Sequence, residues 1–239
     1  MKILVASDLH YRLKQFDWLA SQAKNYDAII IAGDLLDISS YIDLNVQIVV
    51  IKKYLSKISE RTTLMVCSGN HDGNEKNDVD EYIAPWLQES RDQHMHVDGD
   101  SVVFGGTLFT IFPWWDGDVT KLEVSEQFKQ ASQLEFDKWI WIYHAPPDNS
   151  PTSWVGNHFI GDSELNDWIK QYQPDLVVTG HIHQSPFKTN GSWTDKIGKT
   201  WVFNAGSHIG DVPAHIILDI EKMAAEWYSL AGSDVRQLV

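Results

Sequence analysis

Five segments of this chain carry residue types that bind divalent metal ions. They are Asp8-Leu9-His10, Gly33-Asp34, Gly69-Asn70-His71-Asp72, His144, and Gly180-His181-Ile182-His183. Imidazoles and carboxylates without a thiolate suit Mn, Fe, Zn, Co or Ni. They do not suit Cu(I) or an all-oxygen calcium cage. A carboxylate has two oxygens and can bridge two ions. An Asn carbonyl is a neutral ligand and leaves its ion more electrophilic. Two ions roughly 3.5–4 Å apart can clamp the attacking and leaving oxygens of an in-line phosphoryl displacement. They also acidify a shared water. Glycines at 33, 69 and 180 let the backbone turn sharply beside such ions. Each motif alone is weak, and a lone strand-end His is usually not a ligand. The ordered set is the signal.

Each segment closes a short apolar run: 3–6, 29–32, 64–67, 139–143 and 176–179. A sixth run, 201–203, ends in Asn204-Ala205-Gly206-Ser207. Short apolar runs bounded by Gly and polar residues read as buried strands. In open α/β sheets, ligands sit outside the carboxyl ends of strands, so these residues should converge. Helical faces intervene. Phe16, Leu19, Ala20 and Ala23 form one, and Leu44, Ile48, Ile51, Leu55 and Ile58 a second. Val79, Tyr82, Ile83, Trp86 and Leu87 read as a third, and Leu165, Trp168, Ile169 and Tyr172 as a fourth. Residues 94–97, 101–104 and 107–112 read as strands joined by Asp-Gly and Gly-Gly turns. Ile216, Leu218 and Ile220 alternate at the end. The expectation is a mixed assembly of two sheets face to face with helices outside. The Pro/Gly/Ser/Asn-rich stretch 146–162 is long enough to be a functional loop.

The ordered set resembles the calcineurin-like metallophosphoesterase superfamily, from Asp8 to His183 and loosely to Ser207. The resemblance implies one domain, 1–239, built as a four-layer α-β-β-α sandwich of two mixed β-sheets flanked by helices. It implies two divalent transition-metal ions, Mn first and Fe, Zn, Co or Ni next. Asp8, His10, Asp34 and His183 would hold one. Asp34, Asn70, His144 and His181 would hold the other, with Asp34 bridging. A metal-bridging hydroxide would attack phosphorus in line. His71 would protonate or stabilise the leaving oxygen, and Asp72 would orient His71.

Departures from subfamily patterns narrow the substrate. Protein phosphatases of this superfamily have Arg before Gly-Asn-His and Glu after it, where this chain has Ser68 and Asp72. They have Gly after the first Asp-x-His, where Tyr11 stands here. Arg suits a bidentate grip on a phosphomonoester dianion, and Arg12 is the one candidate substitute. Lipid-A-pathway hydrolases tend to have Arg in place of His71. Repair nucleases carry a DNA-binding surface and extra domains, neither of which is visible. His144-Ala145-Pro146-Pro147 looks like the His-x-Pro segment of small-molecule diesterases. The expected activity is hydrolysis of small phosphodiesters, with phosphomonoesterase as the alternative. A catalytically silent protein-binding scaffold is the rival from another class, but it should have lost ligands that this chain keeps.

Bulk properties agree. The chain has 239 residues, 43% hydrophobic and 22% charged, with net charge -14. That charge repels a nucleic-acid backbone, so no nucleic-acid partner is expected. The single Cys67 excludes an internal disulfide and reads as a buried thiol. No run is long enough for a membrane span and no signal peptide is visible, so a cytoplasmic setting is expected, with a homo-oligomer open. His94, His96 and His158 read as surface residues, and His208 as a neighbour of the site. Trp18, Trp86 and Trp168 fit core faces, and Trp139 and Trp141 flank a buried strand. Trp114, Trp115 and Trp154 either wall a pocket and stack on a flat leaving group or form a lid or dimer patch.

Overall fold

A computed structural model describes residues 1–238. The first half runs β1 (Lys2–Ala6), α1 (Leu13–Gln22), β2 (Ala28–Ala32), α2 (Leu44–Ser59) and β3 (Thr63–Cys67). It continues through β4 (Glu75–Lys76), β5 (Tyr82–Ile83), α3 (Pro85–Gln88), β6 (Met95–Val97), β7 (Ser101–Phe104) and β8 (Thr107–Ile111). The second half runs α4 (Asp118–Ala131), β9 (Lys138–Ile142), α5 (Ser163–Tyr172) and β10 (Leu176–Thr179). It ends with β11 (Thr194–Ile197), β12 (Thr200–Asn204), β13 (His215–Asp219), β14 (Ala224–Ser229) and β15 (Gly232–Gln237).

Two mixed sheets result. The first has the order β15-β14-β13-β1-β2-β3-β6, with β1, β2, β3 and β6 parallel. The second has the order β11-β12-β10-β9-β8-β7, with β8, β9, β10 and β12 parallel. Alternation along the strands explains the layering. Ile3, Val5, Ile30 and Met65 face Phe109, Ile140, Ile142, Val178 and Phe203 in a core between the sheets. Leu4, Ile29, Ile31 and Leu64 turn the other way, onto α1 and α2. Trp139, Trp141 and Val177 turn outward onto Phe128 of α4 and Trp168 of α5. This is the expected four-layer α-β-β-α sandwich of two mixed β-sheets. Cys67 is fully buried in the inter-sheet core. Among the described residues no helix is long and apolar enough to cross a membrane.

The helix expected from Val79 to Leu87 is not there. Residues 75–83 form a small hairpin, and only Pro85–Gln88 are helical. Pro85 permits a helix to start but not to pass through, and it pushes Ala84 out of the helical region, to φ -116 and ψ 62. The Asn77 side chain accepts from the Val79 and Glu81 amides and makes a turn instead. Conversely, α4 carries only one buried residue per turn (Thr120, Val124, Phe128 and Ala131), a stripe too narrow to signal a helix. Its first amides, at Val119 and Thr120, are capped by the Glu81 carboxylate from that same hairpin. Strands β14 and β15 extend the alternation begun at Ile216.

Candidate metal centre

All five motif segments leave carboxyl ends of parallel strands. Asp8 and His10 follow β1, Asp34 follows β2, Asn70 to Asp72 follow β3, His144 follows β9, and His181 and His183 follow β10. The turns that deliver them are strained. Asp8, His10, Asp34 and His181 all have left-handed backbones, with φ of 55, 43, 55 and 67 degrees. Such non-glycine conformations cost on the order of 1–3 kcal/mol each, and they persist only where the surroundings impose them. Here the surroundings are backbone hydrogen bonds: the Asp8 amide to the Gly33 carbonyl at 3.0 Å, and the His10 amide to the Asp34 carbonyl at 3.0 Å. Glycine is required at 33, where φ is +84 degrees and a Cβ would strike the His144 ring. At 69 a Cβ would strike the Asp34 carboxylate.

Three groups of potential ligand atoms form among the described residues, and two of them contain Asp34. One is Asp8, His10, Asp34 and His183; the other is Asp34, His144 and His181. In the first, His183 Nε2 lies 3.3 Å from Asp8 Oδ1, and His10 Nε2 lies 3.7 Å from Asp34 Oδ2. The His10 and His183 Nε2 atoms approach to 2.9 Å. In the second, His144 Nε2 lies 3.3 Å from Asp34 Oδ2. Asn70 Oδ1 stands 2.9 Å from His181 Nδ1, so Asn70 joins that group. Every residue expected to hold metal is thus within one assembly.

The assembly fits a divalent cation. Asp8 Oδ2 and His144 Nε2 are buried without hydrogen-bond partners, which is costly unless something fills the gap. His144 Nδ1 donates to the Ala32 carbonyl at 2.7 Å, leaving Nε2 as the inward atom. Burial pulls His144 toward the neutral form, but Asp34 and Asp8 outweigh it and raise its pKa to about 9. The carboxylates therefore hold a proton on His144 where a cation would serve. Burial opposes ionisation of Asp34, yet His144 holds its pKa well below the ordinary carboxylate range. For His181, burial and the charge of His144 lower the pKa to about 4, leaving a neutral imidazole. Metal ligation needs that form.

Hydrogen bonds from outside lock these side chains in place. His181 donates its amide to Asp8 Oδ1, and His71 donates its amide to Asp34 Oδ1, both at 2.9 Å. Arg12 Nη1 donates to the Asp8 carbonyl and to Ser207 Oγ, while the Ser207 hydroxyl donates to the Asp8 carbonyl. Asn204 Nδ2 donates to the carbonyls of Gly180 and Ile182 and so clamps the His181–His183 turn. Ser207 and Asn204 are thus the useful part of the Asn204-Ala205-Gly206-Ser207 segment. His208 packs near Phe187 and touches no expected ligand.

Asp72 departs from expectation. Its carboxylate is fully buried and accepts from the amides of Leu35, Leu36 and Gly69, tying the loops after β2 and β3 together. Its hydrogen bonds all go to these backbone amides and none to the His71 ring. Burial, with Asp34 nearby, raises its pKa to about 8. The carboxylate grouped with His71 and His10 is Asp37, with ligand atoms within 4.8 Å of one another. The sequence did hold a signal for it, a second acid closing Gly33-Asp34-Leu35-Leu36-Asp37. The His71 ring meets the His10 ring edge-on at 4.6 Å, and His71 Nδ1 is buried without a partner.

Trp114 and Trp115 border the site and Trp154 does not. The Trp114 ring lies 5.4 Å from His181 and 5.8 Å from His144. Trp154 packs on Phe159 and donates to the Thr189 carbonyl. His94 and His158 are exposed, and His96 is half-buried on the edge strand β6.

The family model for calcineurin-like phosphoesterase matches residues 1–185. A curated relative, the D subunit of the nuclease SbcCD from Staphylococcus epidermidis, is 26% identical over 90% of this chain. The chain spans 60% of that relative's length. Among solved structures, TT1561 of Thermus thermophilus superposes with a TM-score of 0.60 at 15% identity, covering 100% of this chain and 99% of that one. The purple acid phosphatase PPD1 from yellow lupin seeds superposes with a TM-score of 0.59 at 12% identity, covering 100% of this chain and 51% of that one. These two likenesses concern the fold.

Proposed function

The chain belongs to the calcineurin-like phosphoesterase family, and from that premise we propose that it hydrolyses small phosphodiesters at a two-metal site. The observation that carries this reading is the sharing of Asp34 between two ligand groups. Asp8, His10, Asp34 and His183 would hold one ion, and Asp34, Asn70, His144 and His181 the other. Divalent ions, Mn first, would supply Lewis acidity to the phosphoryl oxygens and a water acidified toward neutral pH.

The protein's own residues do the rest. The amides of His71 and His181 fix the Asp34 and Asp8 carboxylates, so the ligand geometry is set before substrate arrives. His71 would give a proton to the leaving oxygen, and the carboxylate grouped with it is Asp37. Diesters are favoured over monoesters by charge. Ser68 stands where an arginine would meet a second phosphate charge, and its hydroxyl is taken by the Trp114 amide. Arg12 spends Nη1 on Asp8 and Ser207. A monoanionic diester needs no further cation. The Staphylococcus epidermidis relative is named a nuclease, but a net charge of -14 supports a small diester here over a long polyanion.

The test is turnover of metal-supplemented protein on bis-aryl and alkyl aryl phosphates, aryl monophosphates and single-stranded oligonucleotides. Faster turnover of monoesters would overturn the diesterase reading, and preference for oligonucleotides would overturn the small-substrate reading. His71→Ala should keep its metal content and lose about 10²–10⁴-fold in rate with an alkoxide leaving group, and less with nitrophenolate. An equal loss for both would exclude proton donation.

A further inference from the structure

A cavity of about 330 Å³ adjoins the metal centre on the side of His181. Its walls include Trp114, Trp115, Ala145 and Ile160, with Asp116 and Asp162 at its polar edges. Nothing in the proposed hydrolysis uses it. Its volume lies at the low end of small-molecule sites, roughly 300–1,000 Å³.

The wall is tied from behind at the Trp114 backbone and at the Trp115 indole. The Trp114 amide donates to Ser68 Oγ at 3.0 Å, and the Ser68 amide donates to the buried Asp98 at 2.8 Å. Trp115 Nε1 and the Tyr143 hydroxyl both donate to Asp162 Oδ2, at 3.1 and 2.5 Å. Asp162 Oδ1 accepts from Glu164 and Leu165 at the start of α5. A rigid aromatic wall with flanking acceptors suits a flat ring. The lining contains no lysine or arginine, and Lys121, whose Nζ stands 5.5 Å from the Trp115 ring centre, is paired with Glu164, so a second anion finds no free counter-charge there.

Position decides which ester group enters. His71 packs on His10, in the group of ligands with Asp8 and His183. The cavity opens beside His181 and Trp114, in the other group. Resting on the diesterase reading, we propose that this cavity binds a planar, uncharged aromatic ring on the ester group that phosphorus retains, as in an aryl or nucleoside phosphodiester. The stacking surface anticipated for a leaving group thus serves the opposite substituent.

The experiment holds the leaving group constant. Metal-loaded protein is given p-nitrophenyl phosphodiesters whose second substituent is methyl, phenyl, 4-carboxyphenyl or 5′-thymidylyl. The expected order of kcat/KM places phenyl and thymidylyl at least about tenfold above methyl, the scale of one well-stacked ring. Carboxyphenyl should fall below phenyl. Thymidylyl above phenyl identifies a nucleobase as the ring; phenyl above thymidylyl identifies a simpler arene. Ile160→Trp, at the exposed rim, should fill the cavity and collapse the phenyl-to-methyl ratio toward one. Equal rates for methyl and phenyl in the wild type would overturn the pocket while leaving the diesterase reading intact. If no diester turns over, calorimetric titration with phenylphosphonate and methylphosphonate decides. Tighter binding of the phenyl compound, lost in Ile160→Trp, supports the pocket, and equal affinities overturn it.

Discussion

The two ligand groups share Asp34 but are built differently. Around Asp8 and His10 the surroundings are closed. Ser207 and Arg12 brace the Asp8 carbonyl, Asp8 and His10 are buried, and within this group the His183 side chain alone, 39% exposed, reaches the surface. Around His144 and His181 the surroundings are open on one side, with Asn70 exposed and a tryptophan wall leading to a cavity. The first group is arranged to fix charge. The second fixes charge on one side and borders a cavity on the other. In the proposed dinuclear centre, one half would determine whether chemistry occurs, and the other would determine on what.

The largest effect should come from removing what the halves share. Asp34→Ala should lose both metal equivalents by elemental analysis and all phosphoesterase activity. Retention of one equivalent would show that the halves are separable. Next, Ser207→Ala removes a brace from the closed half only. It should cost roughly 10–100-fold in metal affinity or activity, the usual effect of outer partners. The phenyl-to-methyl substrate ratio should not change, and a changed ratio would contradict the division. Metal release should show the same asymmetry more weakly. On chelation, tryptophan emission should report a faster phase from the half beside Trp114 and stay silent for the slower one, and Trp114→Phe should abolish the signal. A single phase matching total release would count against the comparison.

The smallest effect is on stability. Burial, against hydrogen bonds from Ser68, pushes the Asp98 carboxyl up to about 7. From the ordinary carboxylate range near pH 4 up to about 7, the folded protein keeps a proton that the unfolded chain releases. The contribution of Asp98 to stability should therefore fall as pH rises through that window and level off above it. Asp98→Asn should flatten the slope in denaturant titrations. An unchanged slope would mean that Asp98 is ionised in the fold.

The ends of the buried strands were legible because ligand types interrupt apolar runs abruptly, as at Ala6 to Asp8 and Ala32 to Asp34. The layering followed from alternation that has to serve two cores. What stayed hidden depends on partners distant in sequence. The cap of α4 comes from Glu81, and a single buried stripe could not announce that helix. Adjacency suggested Asp72 as the partner of His71. It sits beside His71 in sequence, but a carboxylate on so tight a turn finds backbone amides first. The cavity was half legible. Trp114 and Trp115 were visible as candidates, whereas Ile160 and Asp162 reach it from the far end of the 146–162 loop.

The seam between the two sheets runs through this centre. Asp8, His10, Asp34 and Asn70 hang from one sheet, and His144, His181 and His183 from the other. Each ion held there would act as a rivet across the seam, and its binding free energy would add to the cohesion of the sandwich. The spacing of the rivets is then set by the thickness of the apolar layer beneath them, where Ile30 and Ile142 lie. A methylene trimmed from that layer would alter the reach of the ligands without touching one, so catalysis here is held to a tolerance machined by the core.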